Sequence, residues 1–246
     1  MSISSQLVVF DFDWSFADQD TDHYVPEVLA VDLRRKMVSR DESMQWTDVV
    51  ALTMVELYER GITRDQIEGA LRAVPVHPAM IRAVQALKAA AKPKTTLICL
   101  SNANIVFITT ILKYHGLEDL FEEIITNPAD WTEDGLLRVR RRIGPDQQQH
   151  ACKIGCSPNM CKGDELDAYL ARSGKSFDRL VYVGDGDNDF CPVLRFKSAT
   201  DIVCVRRDRG LERRIRDEGQ TAGLKASLRP WTGAWEVEEI FATLHE

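Results

Sequence analysis

Apolar positions in this chain follow two rhythms. Short runs dense in β-branched and aromatic residues read as buried strands: Leu7-Val8-Val9-Phe10, Thr95–Leu100, Arg179–Val183 and Asp201–Val205. Glu122–Thr126 reads as another short strand, and Asp201–Val205 as the last. Between the first two runs the spacing is helical. Val25, Val28, Leu29 and Leu33 predict one helix over His23–Val38, with Arg34, Arg35 and Lys36 toward its end. Trp46, Val49, Val50, Thr53 and Leu57 share a face of a second helix over Ser43–Glu59, closed by Gly61. Thr63-Arg-Asp-Gln66 is a capping box that opens a third helix through Val74. Val76-His77-Pro78 introduces a fourth that runs to about Ala91. Trp46, Met54 and Tyr58 read as core packing within these helices.

The pattern predicts an α/β fold in which residues 16–78 are a helical module inserted after the first strand. Residues 1–15 and 79–246 then form the main body. Asn127 to Gly144 is expected to be irregular, with a hairpin turned at Glu133-Asp134-Gly135. Arg138, Arg140, Arg141 and Arg142 within it read as a solvated strand face. Helices are expected from Ile105 to His115, from Asp164 to Ala171, from Gly210 to Glu218 and from Trp235 to Leu244.

Composition narrows the class. The chain has 246 residues, 44% hydrophobic and 28% charged, as a globular protein does. Its formal net charge of −7 argues against a nucleic-acid partner. No apolar run approaches the ~20 residues needed to cross a bilayer, and the start MSISSQ is unlike a secretory signal. A cytoplasmic location is the expectation, with six cysteines kept reduced.

The chemistry gathers where strands end. Asp11 and Asp13 follow the first run and, two apart, face the same way in extended chain. Like charges held together call for a cation or a proton, and oxygen ligands favour magnesium. Ser101-Asn102-Ala103-Asn104 ends the second run before a helix, which makes Ser101 either a phosphate seat or a plain N-cap. Lys162 opens a helix and can reach a phosphate oxygen. Asp185 and Asp189 follow the Arg179–Val183 run, four apart, so one helical turn brings them to one face. His150, Cys152, Cys156 and Cys161 raise the question of zinc. Their spacing is not the paired CxxC of a zinc finger, so free thiols are expected. The acidic motifs also echo the opening of an EF-hand loop, but Phe16 and Phe190 stand where that loop needs glycine.

Together these groups suit phosphoryl transfer. Magnesium would be held by Asp11, the Asp13 carbonyl and Asp185, with Asp189 direct or through water. Asp11 would be the nucleophile and Asp13 the acid and base, while Ser101 and Lys162 would hold phosphate oxygens. A phosphotransferase or mutase on the same scaffold, or a non-catalytic phosphometabolite-binding protein, is the alternative.

The order of motifs resembles the haloacid-dehalogenase-like phosphatases, and within them the phosphoethanolamine/phosphocholine phosphatase family with its pyridoxal-phosphate and thiamine-monophosphate phosphatase relatives. The resemblance rests on Phe10-Asp-Phe-Asp13, Ser101–Asn104, Ser157-Pro-Asn-Met-Cys-Lys-Gly163 and Val183-Gly-Asp-Gly-Asp-Asn-Asp-Phe-Cys-Pro192. It implies a Rossmann-like parallel sheet core with a helical cap after the first strand, and a small phosphorylated metabolite as partner. It places Asp22 and Asn102 at positions associated with headgroup recognition. Close relatives often carry Asp where this chain has Asn102, so one charge that would pair with choline or ethanolamine is missing. Ser15 stands where the family usually has threonine and keeps the hydroxyl.

Overall fold

The computed structural model describes residues 3–40 and 43–245. Six strands form one parallel sheet: β1 (Ser5–Phe10), β2 (Lys94–Asn104), β3 (Glu123–Asn127), β6 (Arg179–Gly184), β7 (Ile202–Arg206) and β8 (Ser227–Trp231). The order across the sheet is β3-β2-β1-β6-β7-β8. Counted within the sheet, that is 3-2-1-4-5-6, the doubly wound arrangement whose switch point lies between β1 and β6. A two-stranded antiparallel hairpin, β4 (Ala129–Trp131) with β5 (Leu137–Val139), stands apart and turns through Gly135 at φ 93°.

Alternation along β1 explains the layering. Val8 and Phe10 face one side of the sheet, and Leu7 and Val9 the other; all four are fully buried. The first face packs against α5 (Pro78–Ala89), α6 (Ile105–Tyr114) and α10 (Ala234–Ala242), through residues such as Val84, Ile108 and Phe241. The second packs against α7 (Lys162–Ser173), α8 (Phe190–Val193) and α9 (Gly210–Glu218), through Leu166, Val193 and Leu211.

Between β1 and α5 lie α1 (Thr21–Leu29), α2 (Val31–Val38), α3 (Trp46–Glu59) and α4 (Arg64–Arg72). Their apolar faces, including Val25, Leu33, Val50 and Leu71, join the core on the α5–α6 side. The predicted capping box is formed: the Thr63 hydroxyl accepts from the Gln66 N–H, and the Gln66 side chain accepts from the Thr63 N–H. No helix among the described residues is long and apolar enough to cross a membrane.

Several expectations change. The single helix over His23–Val38 is two, broken at Ala30, whose φ of −160° and ψ of 79° are not helical. Pro26 sits inside α1 and cannot donate to its ladder, so this turn is already weakened. Asp201–Val205 is not the last strand. β8 follows it, an edge strand whose sequence Ser-Leu-Arg-Pro-Trp shows no alternation and whose middle residues are exposed. Arg138 and Arg140 pair with Asp130, Arg141 with Asp48 and Arg142 with Glu165, so the basic cluster is a set of ion pairs joining neighbouring segments.

Candidate active site

Strand register sets the site. Phe10 pairs with Cys99 of β2 and with Val183 of β6. Asp11 is therefore one residue past that level, and Ser101 and Asp185 are two past it on either side. All three lie at the carboxyl edge of the sheet, around the β1–β6 switch point. After Asp11 the chain folds into one tight turn, because the Phe12 carbonyl accepts from the N–H groups of Ser15, Phe16 and Ala17. Trp14 takes a left-handed φ of 56°, unusual for a bulky residue. Its ring lies under the Arg209 guanidinium at 4.0 Å, and its carbonyl accepts from Arg206.

Lys162 is the buried cation of the site, 1% exposed. Its ammonium lies 2.9 Å from Asp11 Oδ1 and 2.7 Å from Asp189 Oδ1. Burial opposes its charge, but Asp11 and Asp189 outweigh burial and raise its pKa. Asp11 Oδ1 also accepts from the Phe12 N–H at 2.8 Å. Carboxylate oxygens of Asp11, Asp185 and Asp189 all lie within 4.8 Å of one another. Asp189 is the most committed of the three. Oδ1 accepts from Lys162 and from the Tyr182 hydroxyl, each at 2.7 Å, and Oδ2 accepts from the N–H groups of Asp185 and Gly186.

The protonation pattern is uneven. Burial, then the charge of Asp189, pushes Asp11 up to about 6 despite Lys162. Asp185 is pushed to about 8 by burial and then by Asp11 and Asp189. Asp13 is raised well above the usual carboxylate range by burial and by Asp20, Asp22 and Asp11. It accepts from the Thr21 N–H at 3.1 Å. Crowded, desolvated carboxylates served by a single ammonium are a hard-donor set short of positive charge, and magnesium fits the chemistry of that set.

Above the strand ends is a cleft of about 230 Å³. It is lined by Asp11, Asp13, Asp20, Asp22, Asp185 and Trp46 with Ser101 and Asn102, and among the described residues no basic side chain lines it. Asp22 is buried and accepts from the Trp46 indole N–H at 2.8 Å. Ser101 is not the N-cap of α6. That role belongs to Asn104, whose side chain accepts from the Phe107 N–H, while the Ser101 hydroxyl accepts from the Ala103 N–H. β2 runs through to Asn104, which carries Ser101 and Asn102 to the sheet edge. Asn102 Oδ1 accepts from the Asn188 side chain at 2.9 Å.

A polar hub escaped the sequence reading. Asn159 is fully buried and left-handed, at φ 99°. Its side-chain amide donates to Thr47 of α3 and to Asn127 of β3. Its side-chain oxygen accepts from the Arg142 N–H at 2.6 Å. Asn127 in turn donates to the Asn102 carbonyl at 2.6 Å. The hub thus fixes the segment just before Lys162 against β2, β3 and α3. Asn159 stood inside the Ser157–Gly163 motif, and that was its only signal.

Comparison with known proteins identifies the family. The family model described as "Putative Phosphatase" matches residues 6–245. "Inorganic pyrophosphatase 2" of Arabidopsis thaliana is 34% identical, over 95% of this chain and 81% of its own length. The "Thiamine phosphate phosphatase-like protein" of the same plant is 31% identical, over 97% and 94%. Among solved structures, a phospho-aspartyl intermediate analogue of phosphoserine phosphatase superposes with a TM-score of 0.53. It covers 87% of this chain and 99% of that one, at 13% identity, a likeness of fold. With its sheet order and its near full-length match, the chain belongs to the Putative Phosphatase family, phosphatases on a haloacid-dehalogenase-like fold.

Proposed function

We propose that this phosphatase is a magnesium-dependent phosphomonoesterase that works through an aspartyl-phosphate on Asp11. The observation that carries the reading is the buried Lys162 bridging Asp11 and Asp189, with Asp185 beside them at the switch point. Asp11 and Asp185, with the Asp13 carbonyl, would hold magnesium, and Asp189 would act through water because its oxygens are already engaged. The ion supplies charge neutralisation at the phosphoryl group.

The chain's own residues divide the remaining work. Asp11 Oδ1 is held by Lys162 and the Phe12 N–H, which leaves Oδ2 to attack phosphorus as the bond to the leaving oxygen breaks. Asp13, whose pKa is raised by burial and then by Asp20, Asp22 and Asp11, gives its proton to that oxygen. It then takes a proton from the water that attacks phosphorus and frees Asp11. Ser101 and Lys162 hold the phosphoryl oxygens throughout. Residues 16–78 would act as a cap that supplies Asp20, Asp22 and Trp46 to the leaving-group side.

That side decides the substrate class. A leaving group here meets Asp13, Asp20 and Asp22 and, among the described lining residues, no basic side chain. The second phosphoryl group of pyrophosphate would be repelled, whereas a neutral or cationic alcohol would be accepted. The 34% identity to a protein named as a pyrophosphatase supports pyrophosphate as the second reading. A panel of thiamine monophosphate, phosphoethanolamine, pyridoxal phosphate and pyrophosphate, with magnesium and with EDTA, separates the two. Cationic monoesters should show the higher kcat/KM, and chelation should abolish turnover reversibly. Preference for pyrophosphate would overturn the class, and indifference to EDTA would overturn the metal. Asn102→Asp should raise kcat/KM for phosphoethanolamine.

A further inference from the structure

Residues 140–161, between β5 and α7, contain neither helix nor strand. An irregular stretch of this length in a compact domain needs something besides backbone pairing to hold it. It holds three of the six cysteines, Cys152, Cys156 and Cys161. The fourth partner comes from elsewhere. Cys191 of α8 lies 3.5 Å, sulfur to sulfur, from both Cys152 and Cys161, and Cys152 lies 3.7 Å from Cys156. All four Sγ atoms are within 4.8 Å of one another, and all four cysteines are free.

Four sulfurs at about 2.3 Å from a central zinc sit about 3.8 Å apart along each tetrahedral edge. The observed spacing is near that edge and too tight for the wider sulfur frame of a polynuclear iron–sulfur cluster. Two backbone N–H groups already point at sulfur, Ile154 at Cys152 and Asp164 at Cys161, each at 3.4 Å. Such N–H contacts orient and stabilise thiolate ligands. Gly155, at φ 90°, provides the turn between the first two cysteines. The charge is also provided for. Arg195 stands beside Cys191 and Cys161, and Arg214 beside Cys156, where it also donates to the Ile154 carbonyl at 2.9 Å. A zinc with four thiolates carries two net negative charges, which these guanidinium groups, themselves paired with Asp164, Asp167 and Glu218, offset in part.

We propose that Cys152, Cys156, Cys161 and Cys191 form a structural zinc site, separate from the carboxylate site. Its place gives it a role. Cys161 directly precedes Lys162 and caps α7, and Cys191 follows Asp189 by two residues. Gly163 packs so closely on Cys191 that a Cβ there would come within 2.6 Å of its sulfur. The zinc would pin the lysine motif to the acidic motif and anchor the irregular segment at both. His150, which the sequence placed with these cysteines, is not in the set of four; its Nε2 lies 2.8 Å from the Ser157 carbonyl.

The test reads metal. The full chain, purified without chelator, should carry about one zinc by elemental mass spectrometry. That zinc should survive an EDTA wash that strips magnesium. Cys152→Ser and Cys156→Ser should lose it, while Cys99→Ala and Cys204→Ala, buried in strands elsewhere, should keep it. Cobalt exchanged into the wild-type chain should give thiolate charge-transfer bands and the visible bands of a tetrahedral ion, a readout that needs no variant to fold. Metal-free protein that shows no such bands with cobalt, iron in place of zinc, or a disulfide between any two of the four would overturn the assignment. None of these outcomes bears on phosphatase activity, so the two readings fail separately.

Discussion

Two clusters stand close together in this molecule, and they were built differently. The carboxylates Asp11, Asp185 and Asp189 sit where two adjacent strands end, and the register of a parallel sheet brings Asp11 and Asp185 together. The thiols gather from an irregular segment and one four-residue helix, with no repeating geometry behind them. Hard oxygen donors and soft sulfur donors side by side suggest a division of labour under the two proposals: the first group would change charge during the reaction, and the second would hold still.

The sharpest way to break this comparison is Asp11→Asn. Turnover should fall by roughly 10³-fold or more, as removal of a nucleophile does. The fold should survive, since Lys162 keeps Asp189 and a buried carboxylate under strain is relieved. Thermal unfolding without added magnesium should show a Tm no lower than wild type. A large fall in Tm would mean that Asp11 is chiefly structural. Asn159→Ala should have an intermediate effect. It removes the partners of Thr47, Asn127 and the Arg142 N–H in a buried place, at a cost of about 2–3 kcal/mol in denaturant unfolding. A cost near zero would show that the hub is dispensable.

The smallest effect concerns pH. Burial, then Asp20, raises Asp22 from 3.8 to about 8 in the fold, against the Trp46 hydrogen bond. A raised folded pKa means that its contribution to stability is full below 3.8 and is lost as pH rises through about 8. Asp22→Asn stays neutral throughout. Its Tm should therefore gain on wild type by a few degrees as pH climbs across that window, and an unchanged difference would place Asp22 in a more open setting than its burial implies.

The sequence was legible where periodicity and strand-end placement coincide. The runs Leu7–Phe10 and Arg179–Val183 are strands, the Thr63–Gln66 capping box is a capping box, and the hairpin turns at Gly135. Legibility failed where the deciding partner is distant or the signal is local geometry. Nothing in Ser227–Trp231 alternates, so the edge strand β8 was invisible. The break at Ala30 lies in a backbone conformation that any residue could hide. The capping of α6 by Asn104 rather than Ser101 depends on β2 running farther than its apolar stretch. Cys191 joined the other thiols only through the fold, from a motif that the acidic residues had already claimed.

Lys162, sealed between two carboxylates, is a fixed charge rather than a titrating handle. On the proposed function, an alkaline decline in turnover is expected to come from a group other than Lys162, whose pKa is raised, against burial, by Asp11 and Asp189. Deleting its ammonium would leave bare acid groups facing each other at the base of the cleft. The natural symptom would be a changed appetite for divalent ions.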